Sequence, residues 1–138
     1  MVMRTLSIPK VIRPLQLADY AEELKGTVIW VWVNPPVSLL ERWSALASES
    51  LQAIEQLNAP SDNTEVVERV RATLERIGTE EAGIISELWS QKEGDTWLAE
   101  DVLRLVEETR ETDPMLWAWL QTRTRAMIRE HRNGIKKA

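Results

Sequence analysis

A chain of 138 residues that is 43% apolar and 28% charged fits one globular domain, and this balance excludes both wholesale disorder and a membrane-embedded class. With no cysteine, it is denied disulfides, thiolate nucleophiles and cysteine-bound zinc, and a cytosolic setting is the simplest expectation. The net charge of −5 hides an asymmetry: residues 79–112 sum to −7 and residues 113–138 to +4, which favours pairing of the two segments within a chain or between copies over a broadly basic nucleic-acid face.

The opening MVMRTLSIPKVIRP has no continuous apolar core of a signal peptide, and no run approaches the roughly 18 apolar residues of a membrane span. Residues 2–14 mix β-branched and polar types with Pro9 and Pro14, which suits an edge strand or an extended arm. Residues 17–25 place Leu17, Tyr20, Ala21 and Leu24 at helical spacing before Gly26, predicting one or two helical turns that dock Tyr20. Next comes TVIWVWVNPP, a strand over 28–33 whose alternate faces, Val28-Trp30-Trp32 and Ile29-Val31-Val33, are both apolar. Isolated strand pairs are marginal, so both faces need cover.

Helical patterns fill the rest. The first, over 36–57, carries Leu40, Trp43, Ala47, Leu51, Ile54 and Leu57 as its expected stripe. The second, over 63–77, opens on a capping-box-like Asp62-x-x-Glu65, shows Val67, Val70, Leu74 and Ile77, and is expected to close at Gly78. A third follows Thr79 with Ala82, Ile85, Leu88 and Trp89, a fourth covers 97–111, and a fifth begins at Asp113-Pro114 and runs to about residue 132, before Gly134 releases a basic tail. The predicted fold is therefore mainly α within an α+β class. A short N-terminal β-hairpin or strand pair (1–36) precedes a bundle of about five helices (37–132) and a tail (133–138), all in one domain.

Catalytic signatures are thin. The single histidine, His131, has no cysteine to join it, and a half-exposed helix-terminal histidine is the plainer reading. Adjacent acids such as Glu80-Glu81, Glu100-Asp101 and Glu107-Glu108 point about 100° apart on a helix, and first-turn acids complement the helix dipole without any ion, so no metal site is expected. Glycine-rich phosphate loops, GxSxG elbows and HExxH pairs are missing from the sequence. The positive signal is seven tryptophans against one tyrosine and no phenylalanine, more indole than so small a core readily hides. At least one of Trp30, Trp32, Trp43, Trp117 and Trp119 is expected at an interface. Pro35 and Pro36 read either as a strand-to-helix turn or as a rigid corner offered to a partner.

The run LADYAEELKGTVIWVWVNPP followed by LLERW, and later Trp97-x-x-Glu100-Asp101-Val102 leading into Asp113-Pro114-x-Leu116-x-x-Trp119-Leu120, resembles tail assembly chaperones of long-tailed bacteriophages and prophages, over the first and last thirds of the chain. The resemblance implies a non-catalytic, cofactor-free protein of the bacterial host cytoplasm that binds the tape measure protein before tail tube subunits polymerise. Its partner-binding residues would be the five tryptophans above with Pro35 and Pro36. It further implies an extended form, made by ribosomal frameshifting, that recruits tube subunits. Lys136-Lys137 fits an A-rich slippery run, with Ala138 ending the unshifted product. A homo-oligomer is compatible with this reading, while a membrane or nucleic-acid partner is not expected. The competing expectations are a structural tail or connector component of the virion and a small helical regulator that binds protein or nucleic acid.

Overall fold

The computed structural model describes residues 6–58 and 64–137. Strands β1 (Ile12–Gln16) and β2 (Val28–Trp32) form an antiparallel pair in which Ile12 faces Trp32, Pro14 faces Trp30 and Gln16 faces Val28. Beyond the two ends, the Val33 N–H donates to the Val11 carbonyl at 2.8 Å and the Leu17 N–H to the Thr27 carbonyl at 3.1 Å. Antiparallel partners alternate between bonded and non-bonded pairs, so these two bonds place Pro14 at a non-bonded position, where its missing N–H breaks no ladder bond. The connection is made of two short 3₁₀ turns, Leu17–Asp19 and Glu22–Leu24, and Gly26 returns the chain at φ +93°, a left-handed conformation open to glycine.

Asn34 ends β2 by taking over the work of a strand. Its Oδ1 accepts from the Val11 N–H at 2.6 Å and its Nδ2 donates to the Pro9 carbonyl at 3.0 Å, so the side-chain amide continues the pairing where the main chain leaves it. The two prolines that follow turn the chain into a helix.

Four helices follow among the described residues: α1 (Val37–Asn58), α2 (Thr64–Trp89), α3 (Ala99–Thr112) and α4 (Pro114–Lys137). The expected bundle of about five is corrected to four because Gly78 closes nothing; the second and third predicted helices are one. The buried positions Val70, Ile77, Ile84, Ile85 and Leu88 keep one helical stripe in register straight through Gly78. Arg76 strengthens the same stretch, pairing with Glu80 one turn on at 3.1 Å and with Glu49 of α1. Glu80 and Glu81 are consequently mid-helix residues rather than first-turn acids, and Glu81 accepts from the Gln121 side chain at 2.6 Å. Gly134 likewise does not end the last helix, which continues to Lys137. Asp62 of the expected capping box lies outside the described residues.

The helices pack in sequence order, α1 on α2, α2 on α3 and α3 on α4, and the sheet lies against α2 and α4. The loop between α2 and α3 is pinned by Ser90, whose hydroxyl accepts from the Trp97 N–H and donates to the Trp97 carbonyl, both at 2.7 Å. Gly94, at φ +84°, makes the turn. Asp101 then accepts from the Leu98 N–H at 2.8 Å, satisfying a donor at the start of α3 as first-turn acids do. The core gathers Leu15, Ile29, Val31 and Val33 of the sheet unit with Trp43, Ile85, Leu88, Trp89, Val102 and Leu120 of the helices. Trp89 is fully buried at its centre, edge-on to Trp97 and Trp117 with centroids 5.1 and 6.3 Å away. Its indole N–H donates to Thr124 Oγ1 at 3.3 Å, and that hydroxyl donates in turn to the Leu120 carbonyl at 2.7 Å, so the buried polar pair is satisfied.

Candidate protein-binding surface

Tyr20 docks as its spacing predicts. Its ring lies 5.4 Å from Trp119, and its hydroxyl donates to Asp113 Oδ2 at 2.7 Å across 93 residues of sequence. That hydrogen bond to the Asp113 carboxylate, with some burial and the carboxylate's charge, raises the phenol above its ordinary value of 10.0. Asp113 thus ties the connection between the strands to the start of α4, while Pro114 takes the first helical position. Among the described residues no three histidine or acidic side chains converge as metal ligands. His131 is half-buried near the end of α4. No helix among the described residues is long and apolar enough to cross a membrane.

The tryptophans divide. Trp43 is 2% exposed and Trp32 8%, so as surface anchors both are corrected: the core covers their rings before any partner can reach them. Among the described residues neither indole N–H has a hydrogen-bond partner, and each ring has a cation over it, Arg125 at 4.0 Å from Trp43 and Lys10 at 4.8 Å from Trp32. Trp30 is half-buried beneath Lys92, whose ammonium lies 3.4 Å from the ring centroid. Trp117 and Trp119 are half-buried. Trp119 rests on Tyr20, whereas Trp117 helps to line a groove of 770 Å³ between α2 and α3, floored by Leu74, Gly78, Ala82, Val102 and Val106. Pro35 is half-buried and Pro36 exposed, at the corner that leads into α1.

Val37, Leu51, Ile54 and Leu57 of α1 are exposed, and where the sequence suggests a single stripe on this helix the structure has two. Leu39, Trp43, Leu46 and Ala53, spaced by four, three and seven, are the buried side. A second set, Val37, Leu40, Ser44, Ala47, Leu51 and Ile54, alternates three and four residues and looks outward about 110° away, by the 100° per residue of a helix. Val37 is 59% exposed, Leu51 64% and Ile54 41%. Ser44 and Ala47 leave the middle of this stripe shallow, and a recess of 510 Å³ opens over Val37, Leu40, Ser44 and Ser48 with Arg132 of α4 at its wall. Leu40 also faces a smaller cleft shared with Arg125, Ile128 and Arg129.

No protein-family model, curated protein or solved structure matches this chain.

What this surface can do therefore follows from its residues. An apolar helix stripe with small residues at its centre, bordered by long cationic side chains, is suited to receive another helix. Of the expected stripe, Leu40 packs against the core with Trp43 and Ala47 is half-buried, whereas Leu51, Ile54 and Leu57 are exposed, as is Val37, which the expected stripe left out. The signal that separates them is phase: 39, 43, 46 and 53 lie on one side of the helix and 37, 40, 44, 47, 51 and 54 on another, and a single neighbouring helix cannot cover both.

Proposed function

We propose that this chain is a non-catalytic assembly chaperone that holds an amphipathic helical segment of a partner protein, the partner being the tape measure protein of a long-tailed phage or prophage. The observation that carries the binding role is the outward stripe of α1, in which three large aliphatic side chains, Val37, Leu51 and Ile54, stand 41–64% exposed in line on one helix. Exposed apolar side chains repeated along one helix face suit an interaction site, where scattered single residues need no such explanation. The groove between α2 and α3, with Trp117 in its wall, offers a second apolar contact of the same kind. The identity of the client comes from the resemblance of residues 17–43 and 97–120 to tail assembly chaperones. A protein that acts before the tube closes binds its client reversibly, and a modest apolar stripe suits that better than a large obligate interface.

The test is co-expression with the tape measure protein of the same genome. The tape measure protein is expected to be soluble and to co-purify with this chain, to be lost to the pellet without it, and to be lost again beside a Leu51→Glu/Ile54→Glu variant whose far-UV circular dichroism matches the parent. Mass spectrometry of purified tails should not find the chain. Stoichiometric recovery from finished particles would make it a structural component and end the chaperone reading.

A further inference from the structure

We infer that the face shared by α1 and α4 takes an amphipathic helix whose apolar stripe is flanked by carboxylates. This rests on the reading of the α1 stripe as a partner site, and adds the chemistry of the partner.

The floor of the site sets the shape of its occupant. Residues 37, 40, 44, 47, 51 and 54 repeat every three and a half positions on average, which is the seam along which two helices run side by side. From Val37 to Ile54 the stripe is about 26 Å long, nearly five turns, so it matches a helix of about 20 residues. Large side chains at both ends and Ser44 and Ala47 between them let the two axes approach most closely at the middle.

The edge of the site sets the charge. Arg125, Arg129 and Arg132 fall at i, i+4 and i+7 of α4 and so share one face, the face turned toward Leu40, Trp43 and Ser44. Arg125 lies over the Trp43 ring, and Arg129 and Arg132 are exposed. None of the three has a carboxylate partner among the described residues, where Arg123 on the same helix is paired with Glu130 at 3.0 Å. Glu41 is the one acid on the rim of the recess that Arg132 borders. A cationic row beside the half of the stripe that runs from Val37 to Ser44 complements a helix with apolar and acidic faces. Arginine is well suited to this because its fork can hold a carboxylate with two parallel bonds. A nucleic acid would use the arginines and leave the aliphatic floor unsatisfied, in a chain whose net charge of −5 opposes it.

The experiment uses the intact chain and two designed peptides of about 20 residues. Both carry leucine at the heptad core positions; one has glutamate at every flanking position and the other lysine. Fluorescence anisotropy of labelled peptide should give about tenfold tighter binding of the glutamate peptide at low salt, as expected for two or three exposed ion pairs. The preference should shrink as salt is added. Arg129→Glu/Arg132→Glu should reverse it, and Leu51→Glu/Ile54→Glu should abolish binding of both peptides with unchanged circular dichroism. Equal affinity for the two peptides would overturn the charge assignment while leaving a helix-binding stripe, and so leave the chaperone reading standing. A chain that sediments as a dimer dissociated by Leu51→Glu/Ile54→Glu would assign the stripe to a second copy and overturn the inference, as would displacement of the glutamate peptide by duplex DNA. Failure of the tape measure co-expression, with peptide binding intact, would remove the phage client alone.

Discussion

Leu46 and Leu51 are the same residue type on the same helix, five positions apart, and truncating each to alanine separates a core stripe from an uncovered one. Leu46 is 7% exposed and belongs to the core cluster, so Leu46→Ala removes almost a whole leucine side chain from packed surroundings, at a cost of about 2–5 kcal/mol. Leu51 is 64% exposed, so only about a third of its side chain is buried, worth about 0.5–1 kcal/mol on a scale of roughly 1.5–3 for complete burial. Alanine's better helix propensity returns about 0.2 kcal/mol of that. In thermal unfolding followed by far-UV circular dichroism, Leu46→Ala should lower Tm by about 6–20 °C and Leu51→Ala by about 3 °C or less, at roughly 3–4 °C per kcal/mol for a domain of this size. Urea titration should give the same order with unchanged m-values. A Leu51→Ala loss as large as that of Leu46→Ala would mean that the outer stripe is covered, and the partner-site reading of α1 would fall.

The sole tyrosine offers a pH test. The Asp113 contact favours the neutral phenol, so its stabilisation is complete below the ordinary value of 10.0 and is lost as pH rises through the higher folded value. Ultraviolet difference titration should place the Tyr20 midpoint above 10.0, and Asp113→Ala should bring it back toward that value. Gly78→Ala and Gly83→Ala should each stabilise the fold by about 0.5–1 kcal/mol. A Cβ at either position meets nothing within 4 Å, so destabilisation in urea would show that α2 is interrupted there. Asn34→Ala should cost about 0.5–1.5 kcal/mol, chiefly by removing the acceptor of the part-buried Val11 N–H, with Asn34→Asp, which keeps only the acceptor, falling between; a neutral alanine variant would mean that the strand pair does not need this amide.

Much of the fold was legible because local chemistry and tertiary packing agree. The run from Val28 to Trp32 is β-branched and aromatic and is stopped by Asn34-Pro35-Pro36, so the strand and its exit were readable together, as was the start of α4 at Pro114. Gly78 and Gly134 misled because glycine was read as punctuation. Its helical cost of about 1 kcal/mol is small beside a stripe that stays in phase from Val70 to Leu88. The surface was harder to read. Indole count does not tell which rings are inside, since Trp43 and Trp89 are buried like Leu88, while plain aliphatics of α1 such as Leu51 are left in water. A second stripe on a helix shows itself only when the neighbours that cover the first are known.

The clasp between Tyr20 and the first turns of α4 joins two parts of the chain that leave the ribosome far apart in time. Trp43 carries its guanidinium lid from Arg125, and Trp89 meets Trp117 and Thr124, all from the last helix to be made. Until translation has delivered α4 these rings lack that part of their cover, so a product stalled before Asp113 should offer its surroundings apolar surface that the finished fold keeps to itself.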